Sequence, residues 1–175
     1  MKKILILIFL IAVKNNLNAQ TNKKNEIIIS PQLTIPLSEI KKTNKTAIGA
    51  NISFEKKLNK KLTSVLNFNG SVYPGKNYSV NIGSSIFELK HNNLKIIQLR
   101  LGLKCIIYNE KLWASSIIGI GHSSYFRRSN GFSYATTLGY AISKMFDLSI
   151  KYDHSRFDKT NINGIGISFG YHFSD

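Results

Sequence analysis

Chemistry in this chain would have to start from His154 and Ser155, which stand side by side with Asp153 before them and Asp158 just beyond. A serine nucleophile needs a base within hydrogen-bond reach and an acid that orients the base. Neighbours in a β-strand point to opposite faces, so His154 and Ser155 cannot meet if this segment is a strand. Asp153 or Asp158 could supply the acid, but the pair it would serve is split. The other histidines, His91, His122 and His172, have no partner at metal-ligand spacing and no carboxylate cluster beside them. No glycine loop of the phosphate-cradling kind is present. Cys105 is the sole cysteine, so no intramolecular disulfide can form. It falls in the apolar phase of its segment, where a free thiol behaves as a small hydrophobe. The expectation is no catalytic residue, no bound metal and no cofactor.

The strand reading rests on period. The last run places Ile165, Ile167, Phe169, Tyr171 and Phe173 at alternate positions, with Gly166, Ser168, Gly170 and His172 between them. Period 2 sends one set to each face of a strand. The alternation recurs along the chain. Ile27, Ile29, Leu33, Ile35 and Leu37 oppose Ile28, Ser30, Gln32 and Thr34, with Pro31 and Pro36 weakening this strand or marking a bulge. Ile48, Ala50, Ile52 and Phe54 oppose Gly49, Asn51, Ser53 and Glu55. Leu62, Leu66, Phe68 and Val72 oppose Thr63, Asn67, Asn69 and Ser71. Ile97, Leu99, Leu101, Leu103, Cys105 and Ile107 oppose Gln98, Arg100, Gly102, Lys104 and Tyr108. Further strands run through Leu112 to Gly121, Phe132 to Ser143, and Leu148 to Asp153.

Tyr78 to Leu89 is a weaker ninth candidate, and bacterial single-chain barrels have even strand numbers. Three short, basic connections divide the chain into four hairpins: Lys57-Leu58-Asn59-Lys60, Asn109-Glu110-Lys111 and Lys144-Met145-Phe146-Asp147. The second hairpin, Lys61 to Tyr108, has 48 residues and is too long by about a hairpin. Eight wall strands are therefore expected, with residues 74–93 as a long external loop that carries its own strand or hairpin.

The N-terminus reads as a cleaved signal peptide over residues 1–19. Lys2 and Lys3 precede ten apolar residues, Ile4 to Val13, and Ala19 offers a small residue at the cleavage point. Ten residues reach about 15 Å as a helix, half the roughly 30 Å of bilayer hydrocarbon. The domain is then residues 20–175. Loss of Lys2, Lys3 and Lys14 leaves 21 Lys and Arg against 9 Asp and Glu, a net charge of +12. Such an excess raises a nucleic-acid reading. Export and the lack of a recognition motif exclude it. A membrane covered in phosphorylated glycolipid is the natural anionic neighbour.

Period 2 alone does not say which face meets water. The polar faces are rich in Gly, Ser, Thr and Asn rather than the Lys and Glu of a water-facing sheet. Their isolated charges, Glu55, Arg100, Lys104, Lys151 and Asp153, can pair across a narrow lumen. Aromatics gather near strand ends, with Tyr73, Tyr78, Tyr125, Phe126, Phe132, Tyr134 and Phe157 on one rim. Phe54, Trp113, Tyr140, Phe146, Tyr171 and Phe173 form the other. Two belts of this kind belong at bilayer interfaces. The expected fold is all-β: an up-and-down antiparallel transmembrane β-barrel of eight strands, with a lumen filled by side chains, Tyr108 among them.

Four features carry a family resemblance: the signal ending Ala19-Gln20, the run Ile118-Gly119-Ile120-Gly121, the pair Gly139-Tyr140 before a short turn, and the terminal Gly166-Ile167-Ser168-Phe169-Gly170-Tyr171-His172-Phe173. In these the chain resembles the small porin-type outer-membrane β-barrels of Gram-negative bacteria, eight-stranded barrels related to OmpA and OmpX. The resemblance implies residence in the outer membrane and recognition of the aromatic terminal strand by the barrel-insertion machinery. Its members include adhesins, structural anchors, narrow pores and lipid-modifying enzymes. The lipid A deacylases among them place His and Ser two apart on one face, followed by Asn. Here Arg156 and Phe157 stand instead.

A structural or surface-interaction role without catalysis is the leading expectation, and a narrow pore is its main competitor. The expected partners are outer-membrane lipid and lipopolysaccharide, and the expected state is a monomer. Loop cations that could meet lipopolysaccharide phosphates are Lys41, Lys42 and Lys45 in the first external loop, Lys76 and Lys90 in the second, Arg127 and Arg128 in the third, and Arg156 and Lys159 in the fourth. A folded transmembrane barrel resists detergent until boiled. Protein extracted from outer membranes should therefore change its gel migration on boiling; recovery in the soluble periplasm with no shift would refute the membrane assignment.

Overall fold

Alternating side chains make strands, and lipid demands that the strands close on themselves. A computed structural model of the chain describes residues 25–37, 39–82, 85–124, 129–158 and 160–174. Residues 1–19, expected to be a signal peptide, and Tyr125, Phe126, Arg127, Arg128 and Lys159 lie outside the described residues. The elements are β1 (Asn25–Pro36), α1 (Ile40–Thr43), β2 (Ala47–Lys57), β3 (Leu62–Tyr73), β4 (Asn77–Ile82), β5 (Ser85–Lys90), β6 (Leu94–Tyr108), β7 (Leu112–Ser123), β8 (Ser129–Ala141), β9 (Phe146–Phe157) and β10 (Thr160–Ser174). Eight strands close into an antiparallel barrel in the order β1-β10-β9-β8-β7-β6-β3-β2, while β4 and β5 pair only with each other. The segment Tyr78 to Leu89 is thus a separate hairpin rather than wall.

Wall strands run from 11 residues in β2 to 15 in β6 and β10. A tilted strand needs about 9–11 residues to cross a bilayer. Pro31 interrupts one ladder without bending it. The β1–β2 ladder runs unbroken from Asn25 to Thr34, and the β1–β10 ladder omits Ser30 and Pro31 but keeps the same register on either side. The missing donor therefore costs a local gap and no bulge.

The connections give the barrel two unlike ends. At the turn end, Asn59 Oδ1 accepts from Lys61 N and Leu62 N, and Ser143 Oγ accepts from Met145 N and Phe146 N. These side chains substitute for backbone acceptors in tight turns. Asn109 and Glu110 both take positive φ and Lys111 N donates to Tyr108 O, which closes β6–β7 in a three-residue connection. The loop end carries α1 and the β4–β5 hairpin.

Phase holds along most strands and fails in one place. The β6–β7 register shifts between Ile106 and Tyr108. The extra residue reverses the alternation, and Tyr108 lies 66% exposed on the outside. Tyr108 is therefore not a lumen residue, contrary to the period-2 expectation.

Three aromatics expected in the belts point inward instead. Tyr73 and Phe157 are buried. Trp113 shares the inner phase of β7 with Ser115 and Ile117 and lines the lumen. Strand phase decides these positions, because nearness to a strand end does not set which face a side chain takes. Phe54, Tyr140 and Phe173 are exposed at the turn end, where Phe146 stacks on Phe169 and meets Tyr171 at a tilt, and Tyr171 meets Phe173 edge to face.

Trp113 fits because Gly139 lies opposite it in the β7–β8 ladder. A Cβ on Gly139 would stand 2.1 Å from the Trp113 ring, whereas a Cβ on Gly70 would meet nothing within 4 Å. Gly139→Val should destabilise the barrel by about 1–3 kcal/mol through overpacking. Gly70→Ala should lie within about 0.5 kcal/mol of the wild type or above it. Urea unfolding in lipid vesicles measures both.

Candidate functional site

The inner face is polar, and each of its cations touches a carboxylate, two of them sharing Asp153. Arg100 is fully buried and grips Asp153 with both terminal nitrogens, Nη1 to Oδ2 at 3.0 Å and Nη2 to Oδ1 at 2.6 Å. Its Nε donates to Ser133 Oγ at 2.7 Å. Lys151 Nζ lies 3.3 Å from Asp153 Oδ2 and donates to Gln32 Oε1 at 2.6 Å. Asn51 joins Gln32 to Asn69, and Gln98 joins Asp153 to Ser155. One layer of hydrogen bonds thus ties β1, β2, β3, β6, β8 and β9 together. A separate pair lies nearer the turn end, where Lys104 Nζ donates to Glu55 at 2.9 and 3.1 Å and stands 4.4 Å from the centre of the Trp113 ring. At the turn-end mouth, His172 bridges Asp147 and Glu26.

All five sequence-derived lumen charges therefore face the interior. Arg100, Lys151 and Asp153 form one cluster, and Lys104 with Glu55 forms another. Buried charges are tolerated when paired and hydrogen-bonded on every side, and left alone they are costly.

Sequence reasoning missed an apolar plug above this layer. Ile40 from α1 packs with Ala47, Tyr73, Leu94, Ile96, Phe157 and Ile162, all buried at the loop end of the lumen. A faint signal existed in Ile96-Ile97, where two adjacent apolar residues break the alternation. Asn44 fixes the segment that carries α1. It is fully buried, with Nδ2 donating to Tyr73 O at 3.0 Å and to Asn92 O at 3.1 Å. Backbone bonds Lys45 N to Pro74 O and Lys76 N to Thr43 O complete the strap.

His154 and Ser155 lie on opposite faces. Ser155 is buried inside, against Gln98 and Ser133. His154 is on the outside, beside Tyr134 and hydrogen-bonded to Asn163. No Ser–His dyad forms between them.

Five of the six described residues expected as loop cations lie at the loop end. Lys41, Lys42, Lys45 and Lys90 are exposed, and Lys76 is half-buried with its Nζ on Lys41 O at 2.6 Å. Arg156 needs a correction. It lies within β9, paired to Phe132 and Asn161, and faces outward on the wall rather than in a loop. The β9–β10 connection is too short to hold it.

Outside, Leu33, Ile48, Ile97, Leu99, Ile120, Leu138, Ile167 and Phe169 are exposed on the wall. Ile120, at 68%, is open to solvent while Arg100, in the same wall, is dry. A water-soluble barrel has the reverse arrangement. This is a transmembrane barrel.

No protein-family model matches the sequence, and no curated protein does. Solved structures are similar. Ail, the attachment invasion locus protein of Yersinia pestis, is 18% identical, with a TM-score of 0.58 over 86% of this chain and 97% of Ail. The N-terminal β-barrel domain of Pseudomonas aeruginosa OprF is 10% identical, with a TM-score of 0.57 over 87% of this chain and all of that domain. The fold is that of the small eight-stranded outer-membrane β-barrels. Ail in complex with the heparin analogue sucrose octasulfate is also similar, at 15% identity and a TM-score of 0.55 over 86% of this chain and 97% of that one.

The charge cluster makes an ordering of variants testable. Asp153→Ala strands Arg100 beside Lys151 and should cost about 3–5 kcal/mol. Arg100→Met should cost less, because Lys151 remains 3.3 Å from Asp153. Denaturant titration of both variants checks the order, and equal costs would show that Lys151 shares none of the load.

Proposed function

We propose that this protein is an integral outer-membrane β-barrel with a structural or surface-interaction role and no catalysis. The observation that carries this reading is the lumen, spanned by a hydrogen-bonded charge layer and sealed at the loop end by apolar side chains. A pore needs an open path, and the plug argues against one. A lipid A deacylase needs its dyad on one face, and the strand phase argues against that too.

What remains for function is the outward surface. Its loop end carries Lys41, Lys42, Lys45, Lys76 and Lys90, with Arg127, Arg128 and Lys159 adding to the rim by sequence and Arg156 on the wall below. A set of cations with little acid between them suits a polyanion. The phosphates of lipopolysaccharide are the polyanion at that height of the membrane. That Ail, of similar fold, was crystallised with a sulfated heparin analogue supports a polyanion reading of the rim. The outward aromatics of β10 support handling by the barrel-insertion machinery as a single chain.

Vesicles containing lipid A test the rim. Replacing Lys41, Lys42 and Lys45 together with Glu should weaken binding several-fold at low salt, and the difference should vanish at high salt. Lipid A stripped of phosphate should not distinguish the two proteins. In planar bilayers the wild type should give no steady conductance, and stepwise channel currents would overturn the closed-lumen reading.

A further inference from the structure

Beyond the barrel mouth the β3–β6 hairpin resumes as β4–β5 in the same register. Val72 pairs with Lys95 in the wall, and Tyr78 pairs with Leu89 six positions further along each strand. An even offset on both strands keeps the phase. The side of β4–β5 that holds Tyr78 and Leu89 therefore continues the lipid-facing side of the wall, where Val72, Ile97 and Leu99 are exposed.

The hairpin has two unlike faces. Tyr78, Val80, Phe87 and Leu89 share the lipid-side phase, with Tyr78 paired to Leu89 and Val80 to Phe87. Asn77, Ser79, Asn81, Glu88 and Lys90 share the other phase, with Ile86 as the apolar exception. Tyr78, Phe87 and Leu89 are between 40% and 49% exposed, and β4 and β5 pair only with each other. A lone two-stranded hairpin with an uncovered apolar face is marginal in water. The interval between the two ladders is polar. Lys76, His91, Asn93 and Lys95 fall in the lipid-side phase there. Such residues belong at headgroup height. Pro74 has no N–H to give, and Gly75 N donates to Asn93 Oδ1 rather than to a ladder carbonyl. The ladder is thus interrupted where a change of direction is possible.

We propose that the β4–β5 hairpin leans away from the barrel axis at residues 74–76 and lays the face of Tyr78, Val80, Phe87 and Leu89 on the outer-leaflet surface, at the boundary of headgroups and acyl chains. Leaning outward turns the lipid-side face down and leaves the face of Glu88 and Lys90 in water. Six-residue strands reach about 20 Å, so the whole face stays over neighbouring lipid. Tyr78 and Phe87 suit that boundary, where aromatic rings collect. Continuity with the lipid-facing wall names lipid as the occupant. Four side chains fall well short of the roughly 800 Å² per partner that a stable interface with a second copy needs. The seating requires only the transmembrane wall and stands whatever the basic rim binds.

Tryptophan placed on each face in turn tests the seating. Trp113→Phe removes the only native tryptophan. In that background Phe87→Trp and Glu88→Trp put the probe on adjacent residues of opposite phase. The refolded proteins are placed in phosphatidylcholine vesicles whose acyl chains carry bromine near the headgroup. Lipid bromine should quench the Phe87→Trp probe several-fold more than the Glu88→Trp probe, and iodide on both sides of the membrane should reverse the order. Adding Val80→Lys and Leu89→Lys to the Phe87→Trp protein should open its probe to iodide. Boiling-dependent gel migration confirms that each wall is folded. Tyr78→Trp replaces Phe87→Trp, and Trp113→Tyr replaces Trp113→Phe, should either not fold. Equal bromine quenching at the two positions, or a Phe87→Trp probe open to iodide, overturns the proposal. So does a Phe87→Trp probe shielded from both quenchers, and loss of that shielding on dilution in lipid would assign the face to a second copy.

Discussion

Closure of the hydrogen-bond ladder is the constraint on which the rest of this structure depends. In hydrocarbon, an unpaired N–H or C=O has no water to meet it. An open sheet would leave two such edges. Here β1 meets β10 over nine residue pairs and β2 over ten, so the first strand has no free edge in the wall. Once the ladder closes, the outside can be entirely apolar. The same closure makes the gap at Pro31 tolerable, because the unbroken β2 side holds the register.

Closure also creates an inside, and eight strands make it narrow. The sequence fills it in two ways. The middle carries ions in contact with their opposites: Lys104 has Glu55, and Arg100 and Lys151 share Asp153. The loop end is filled by apolar side chains under the α1 strap. These solutions suit different depths. A charge layer needs strands on all sides to supply partners, whereas a mouth near water is sealed more simply by dry packing. The turn end has neither in full, and a small cavity of about 60 Å³ remains there.

The outer surface divides in the same way. The wall offers lipid contacts, and the loop end offers cations and a protruding hairpin. In β5 all six residues are exposed, including Ile86, Phe87 and Leu89. A lone two-stranded hairpin is marginal in water. This one is tied at its base by the Asn44–Gly75 bridge, by Gly75 N donating to Asn93 Oδ1 and by Tyr78 stacked on His91. Rigid wall and projecting loops are the usual division between scaffold and recognition surface.

Much of this was legible in the chain. Period 2 gave the strands and their two faces, the short basic turns gave the hairpin count, and small polar inner residues with isolated charges gave the inversion. Glu55, Arg100, Lys104, Lys151 and Asp153 could be placed inside because phase is a local property of a strand. Errors came where phase was altered or ignored. Tyr108 moved outward through a bulge that no local pattern announced. Tyr73, Trp113 and Phe157 turned inward because Gly139 and the plug make room for them, and that room exists only when distant strands are neighbours. Which charge meets which, what seals the mouth and where a cavity remains were decided by closure. Each depends on residues far apart in sequence that only the barrel brings face to face.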